Sequence, residues 1–202
     1  MRINYILGLL LIVAGAGNGF GRDVTLKVTE ILHSTYAIHD LILTARDMQA
    51  LELTQALLPA YTNTRLVKAD FSDALTLPSI LNTIFEQVQP DLYDKAILVC
   101  NAGSLGDITN YARDLDYLKF PAYMQLNVNS TLALTSAFHK KFHTEARISL
   151  LPTAPSNDAS AAALPRKAVA VNISSLLALQ PSPGFALYCR FIIILRIFYV
   201  GI

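Results

Sequence analysis

The chain is expected to fold as a doubly wound α/β domain around a parallel sheet, and three features of its 202 residues predict this. Short, continuously apolar runs alternate with longer amphipathic stretches, which is the rhythm of strand and helix in α/β proteins. Hydrophobic content is 53% and mean hydropathy is +0.41, an excess that strands buried on both faces account for. Four of the nine glycines fall at Gly15, Gly17, Gly19 and Gly21, directly behind the first apolar run.

The elements follow in order. Tyr5–Val13 reads as the first strand, then a glycine turn, then a helix from about Arg22 to Ser34. "AIHDLILT" (Ala37–Thr44) is a second strand, and "ARDMQALELTQALLPA" has helical spacing, with Met48, Leu51 and Leu58 on one side. "TRLVKADFSD" gives a short third strand ending at Asp70. Leu77–Val88 suits a helix with Pro78 in its first turn, where a missing N–H costs nothing. "KAILVCNAG" is the strongest strand signal, ended by Asn101, Ala102 and Gly103. A long helix from about Tyr117 to Phe142 precedes a last strand, "AVAVNISS". Residues 150–166 carry three prolines among many Ser and Ala and are expected to be a flexible surface insertion. The whole of 1–202 is expected to form a single domain, with a divergent apolar tail over 190–202.

Composition excludes several classes. Net charge is +1 and the charges are scattered, so neither a nucleic-acid surface nor an anionic-membrane patch is indicated. No apolar run reaches the about 20 residues a membrane-spanning helix needs, and the tail is also too short. Cys100 and Cys189 are too few for a disulfide scaffold and lack metal spacing, which is consistent with reduced thiols in the cytoplasm. His139 and His143 sit four apart, but no third ligand accompanies them, so no metal site is expected. Cys100, inside an apolar strand, reads as a small hydrophobe.

The glycine run admits two readings that exclude each other. Arg2, the run Ile6–Val13 and the small residues Ala14 and Ala16 fit a loose secretory-signal template. The same residues fit a strand that feeds a phosphate-binding turn. The pattern G-x-G-x-x-G is not met, but G-x-x-x-G-x-G is, by Gly15, Gly19 and Gly21. Glycines so placed let the backbone turn tightly and let a diphosphate approach main-chain N–H groups at a helix N-terminus. The sequons at Asn129 and Asn172 fall in a predicted helix and at a strand end, where glycans do not fit. The later motifs need the first strand beside them, so the phosphate loop is the preferred reading.

"AGAGNGFGR", "LTARD", "ADFSD", "NAGSLGD", "LNVNSTLALTSAF" and "VNISSLLALQPSPGFALYC" together resemble the short-chain dehydrogenase/reductase family. The resemblance runs over about residues 5–189 and implies a Rossmann-like fold and carbonyl reduction by a nicotinamide coenzyme. It implies Tyr188 as proton donor, Ser175 as hydrogen-bond donor at the developing alkoxide and Asn127 in a proton relay, with Ser174 also at the substrate. These are roles that ketone reduction requires. Gly15, Gly17, Asn18, Gly19, Phe20 and Gly21 would hold the coenzyme diphosphate, Asn101, Ala102 and Gly103 would flank its centre, and Asp70 and Phe71 would lie along the adenine. Arg46, where NAD enzymes carry a carboxylate, favours the 2′-phosphate of NADP; Asp47 beside it and Asn18 in place of a second basic residue dilute that preference. The substrate class implied is a small carbonyl compound of the pterin side-chain ketone type, and a homodimer is implied as well.

The family's Y-x-x-x-K motif departs after Tyr188: the fourth residue on is Ile192, and Arg190 and Arg196 stand at other spacings. The Lys normally lowers the Tyr pKa by setting a cation beside the phenolate. Its loss predicts impaired turnover in this chain and leaves open a non-catalytic nucleotide-binding or interaction protein. The likeness stops at Cys189 and "RFIIILRIFYVGI" follows, as expected of a mis-spliced or truncated product lacking the family's last strands, with an open sheet edge.

Overall fold

The computed structural model describes residues 7–106, 116–142, 167–175, 177 and 179–180. Five strands form one sheet in the order β3-β2-β1-β4-β5. They are β1 (Gly8–Ala14), β2 (Ile38–Ala45), β3 (Thr62–Lys68), β4 (Lys95–Cys100) and β5 (Lys167–Asn172). All four neighbouring pairs are parallel. The winding reverses between β1 and β4, and it is outside the carboxyl ends of strands at such a switch point that ligands bind in open α/β sheets.

β1 is buried along its whole length, so its apolar residues alternate between two cores. Leu11 and Val13 pack with Leu41, Leu43 and Leu51 under α1 (Gly19–Leu32) and α2 (Met48–Ala56). Leu10 and Ile12 pack on the other face with Ile80, Ile84, Leu98, Leu134 and Phe138. The helices there are α3 (Leu77–Phe85) and α5 (Ser130–Phe142). Each such side chain contributes about 1.5–3 kcal/mol by leaving water. The doubly wound parallel fold predicted from the apolar runs is therefore the fold observed. Met48 and Leu58 join Leu51 against the sheet, as their spacing required.

Several boundaries differ from expectation, and three of the differences have a visible cause. α1 opens inside the glycine run, at Gly19 rather than Arg22, because close packing at Gly21 outweighs its poor helix propensity. β3 ends at Lys68, since the chain turns where the Asp70 carboxylate captures the Ser72 N–H at 3.0 Å. The long helix is not uniform: α4 (Phe120–Met124) passes through a π turn (Gln125–Asn129) before α5. Side chains have entered the ladder there. Asn127 Nδ2 donates to Tyr123 O at 3.1 Å and Ser130 Oγ to Leu126 O at 2.6 Å, while Ser130 N reaches back to Gln125 O. Such competition for main-chain carbonyls accompanies a widened turn. No described helix is long and apolar enough to cross a membrane.

Candidate functional site

The loop after β1 is folded back onto the sheet by its own amides. Gly15 N and Ala16 N both donate to Thr44 O, at 2.8 and 3.0 Å. Gly15 takes φ +82°, in the left-handed region, and a Cβ there would lie 3.0 Å from Ala102 Cα. At Gly21 the reason for glycine is space: a Cβ would fall 2.0 Å from Gly15 O and 2.5 Å from Asn101 Nδ2. That same Asn101 amide donates to Gly15 O at 3.1 Å, which ties the end of β4 to the loop after β1.

Above this junction lies a cavity of about 360 Å³ over the carboxyl ends of β1, β2 and β4. Gly15, Gly17, Asn18, Gly19 and Phe20 line one wall, and Ala45, Arg46, Asp47 and Ala50 a second. Asn101, Ala102 and Gly103 form a third, and buried Phe71 lies at the base beside Ala69. The structure thus gathers nearly all the predicted coenzyme-binding residues around one space. Two stand apart from its lining: Gly21 acts from beneath, through its contact with Gly15, and Asp70 stands just outside.

The polar groups at the rim have distinct fates. The Asp70 carboxyl is held below its ordinary value, first by the Ser72 hydroxyl at 2.6 Å and the Ser72 N–H, then by the charge of Arg46. Asp47 caps α2, its Oδ1 accepting from Gln49 N at 2.9 Å and Ala50 N at 3.3 Å. Its Oδ1 is thus committed to the start of α2. Arg46 is exposed and, among the described residues, no ion pair holds it.

A smaller cavity of about 160 Å³ adjoins the first, between β4, β5 and the π turn. Asn127 is buried there; its Oδ1 accepts from Ser104 N at 3.0 Å while its Nδ2 holds Tyr123 O. Ser175 is half-buried just beyond β5, and its Oγ accepts from Leu177 N at 3.2 Å; Ser174 is exposed. Tyr188, Cys189, Arg190, Ile192, Arg196, His143 and the segments 150–166 and 190–202 lie outside the described residues. Thr131 and Asn172 also line this space and escaped the sequence reading. For Asn172 a signal existed: a polar residue closing an apolar strand, at the end of the sheet where sites form. Among the described residues, no group of three His, Cys, Asp or Glu could hold a metal ion.

No family model matches the chain. Sepiapterin reductase of Bos taurus is 32% identical over 184 residues, which cover 89% of this chain and 61% of that protein. The chain is similar in sequence to sepiapterin reductase. It spans about three fifths of the length of the curated reductases it matches. The fold agrees with solved structures of short-chain dehydrogenases and oxidoreductases. A metagenomic short-chain oxidoreductase in complex with NADP has a TM-score of 0.69 at 19% identity, covering 97% of this chain and 75% of that one. A bulky-bulky ketone specific alcohol dehydrogenase from Comamonas testosteroni gives 0.69 at 17% identity, covering 95% and 64%. The glycine loop, Asn101 and the π-turn Asn127 occupy one contiguous region around the end of β4.

Proposed function

We propose that this short-chain reductase relative binds NADP(H) in the larger cavity and belongs to a protein that reduces a small carbonyl compound, of the pterin side-chain ketone class. The observation that carries the reading is the cavity itself, walled by glycine backbone on one side and by Arg46 on another. The fit is physical: at Gly15, Gly17 and Gly21 side-chain-free backbone lets the walls close, and Gly15, Gly17 and Gly19 are left lining the space. Gly15–Gly21 would hold the diphosphate, Phe71 and Asp70 the adenine end and Arg46 the 2′-phosphate, with Asn101–Gly103 beside the central ribose.

NADPH, when bound, supplies a hydride to the carbonyl carbon. The chain's own part is to handle the oxygen. Tyr188 would donate its phenolic proton to that oxygen, Ser175 would hydrogen-bond it as negative charge develops, and Ser174 would contact the substrate. Asn127, fixed at both ends of its amide, would anchor the proton relay. These assignments rest on the motif resemblance and on the position of Ser175 at the end of β5.

Ile192 in place of the motif's Lys favours a second reading for this chain, coenzyme binding with little turnover. Equilibrium titration with NADPH and NADH, followed by NADPH oxidation with sepiapterin, separates the two. The expected result is NADPH binding tighter than NADH, lost in Arg46→Glu, with slow turnover. Rapid turnover by the unaltered chain would overturn the lysine argument, and no binding of either coenzyme by folded protein would overturn the proposal.

A further inference from the structure

The loop that walls the larger cavity is held from behind by two side chains that face away from that space. Arg22, on the first turn of α1, donates from Nη2 to Gly17 O and from Nε to Thr54 Oγ1 at 3.0 Å. Thr54, on α2, is fully buried, and its hydroxyl lies 3.0 Å from Ala16 O and 3.4 Å from Gly17 O. The guanidinium thus holds Gly17 O, and the Thr54 hydroxyl, which also lies 3.0 Å from Ala50 O of its own helix, sits against Ala16 O. Neither Arg22 nor Thr54 lines the cavity, whereas Gly15, Gly17, Asn18 and Gly19 do.

The consequence follows from peptide geometry. Among the described residues no peptide bond is cis, and in a trans peptide the C=O and the next N–H point in opposite directions. Drawing Ala16 O toward Thr54 and Gly17 O toward Arg22 turns the N–H groups of Gly17 and Asn18 the other way. Gly15 N and Ala16 N are consumed by Thr44 O, but among the described residues neither Gly17 N nor Asn18 N meets a protein acceptor. We infer that Arg22 and Thr54 are positioning residues that aim these two N–H groups at the coenzyme diphosphate, the guanidinium adding a buried-side positive charge behind them. The inference rests on the coenzyme reading and assigns it a device that the glycine pattern alone does not contain.

Two walls of the cavity also meet here. Gly17 packs so tightly on α2 that a Cβ there would lie 3.1 Å from Ala50 Cβ and 3.2 Å from Ala45 Cβ. That packing, which the two side chains do not supply, seats the loop against the segment carrying Arg46. A hydrogen bond to a charged donor contributes enough that its loss weakens a dependent ligand by about tenfold.

The test uses Arg22→Met, Thr54→Val and Thr54→Ser in the full chain, with melting curves confirming that each is folded. Dissociation constants are measured for NADPH, for ADP-ribose (diphosphate, no 2′-phosphate) and for adenosine 2′-monophosphate (no diphosphate). Arg22→Met and Thr54→Val should each weaken NADPH and ADP-ribose about tenfold and leave adenosine 2′-monophosphate unchanged. Thr54→Ser, which keeps the hydroxyl, should retain wild-type affinity. Equal weakening of all three ligands would make the clamp merely structural and overturn the inference, as would unchanged diphosphate binding. Failure of the unaltered chain to bind NADPH is a different outcome, since it removes the coenzyme reading itself.

Discussion

Gly21→Ala puts the packing account of the loop at risk. The added Cβ would stand 2.0 Å from Gly15 O and 2.5 Å from Asn101 Nδ2, and Gly15 C would be 2.9 Å away. Two of these neighbours are backbone atoms, so relief requires moving the turn or the helix. Overpacking of this kind costs about 1–3 kcal/mol. Displacing Asn101 also breaks its 3.1 Å bond to Gly15 O, worth about 1 kcal/mol net. Alanine's better helix propensity returns roughly 0.5–1 kcal/mol. The sum is a loss of about 1–3.5 kcal/mol, or roughly 2–14 °C in melting temperature for a chain of this size. Gly19→Ala is the control: no atom lies within 4 Å, and only its φ of +50° is strained, costing about 1 kcal/mol and roughly 2–4 °C. Thermal unfolding followed by circular dichroism reads both. A Gly21→Ala chain that melts within a degree of wild type, or a Gly19→Ala chain that melts lower than it, would refute the account.

Three further outcomes are expected. Asp47→Ala removes the α2 N-cap, which costs about 1 kcal/mol and lowers the melting temperature by about 2–4 °C. The NADPH-to-NADH affinity ratio should stay the same; a clear rise would show the carboxylate reaching the ribose after all. Tyr93 is buried and donates to Asp40 Oδ2 at 2.6 Å, and burial above all, then that bond, pushes its phenol well above the ordinary value. A raised folded pKa gives stability that is complete below the unfolded tyrosine's pKa of about 10 and is lost as pH climbs beyond it. The melting deficit of Tyr93→Phe should therefore be constant from pH 7 to 9 and shrink above about pH 10; a deficit that does not change would contradict this. Asn127→Leu removes the side-chain bonds to Ser104 N and Tyr123 O. It should destabilise by about 1–3 kcal/mol and speed hydrogen exchange at the Ser104 amide, whereas unchanged exchange would mean that another acceptor holds that amide.

What was legible in the sequence is what one stretch of chain decides locally. "LLLIVA" and "KAILVC" announced strands buried on both faces because neither alternates, and both are central in the sheet. The glycine turn announced itself by density. Asp47 was legible too: an Asp directly before a helical run is an N-cap signal, but its place beside Arg46 drew attention to the ribose instead. Other features depend on partners far along the chain. That Gly21 must be glycine is decided by the folded-back Gly15 carbonyl together with Asn101, and the clamp on Gly17 involves Thr54 from α2. The π turn depends on one amide bonding to a carbonyl four residues back, which hydrophobic periodicity does not register.

The two asparagines at the ends of this arrangement have a common chemical logic. An amide side chain carries a donor and an acceptor on one planar group, so it can join a carbonyl and an N–H that no carboxylate or hydroxyl bridges in the same way. Asn127 uses both ends, accepting from Ser104 N and donating to Tyr123 O, and so fastens the segment after β4 to the π turn. Asn101 uses its donor end on Gly15 O and fastens the end of β4 to the loop after β1. An aspartate at 101 would set a carboxylate against the Gly15 carbonyl, replacing attraction with repulsion at the point where Gly21 leaves no room to separate them. The switch point between β1 and β4 opens a crevice in any sheet of this order. It is the two amides, one at each side of Ala102 and Gly103, that keep the walls of this one at a fixed spacing.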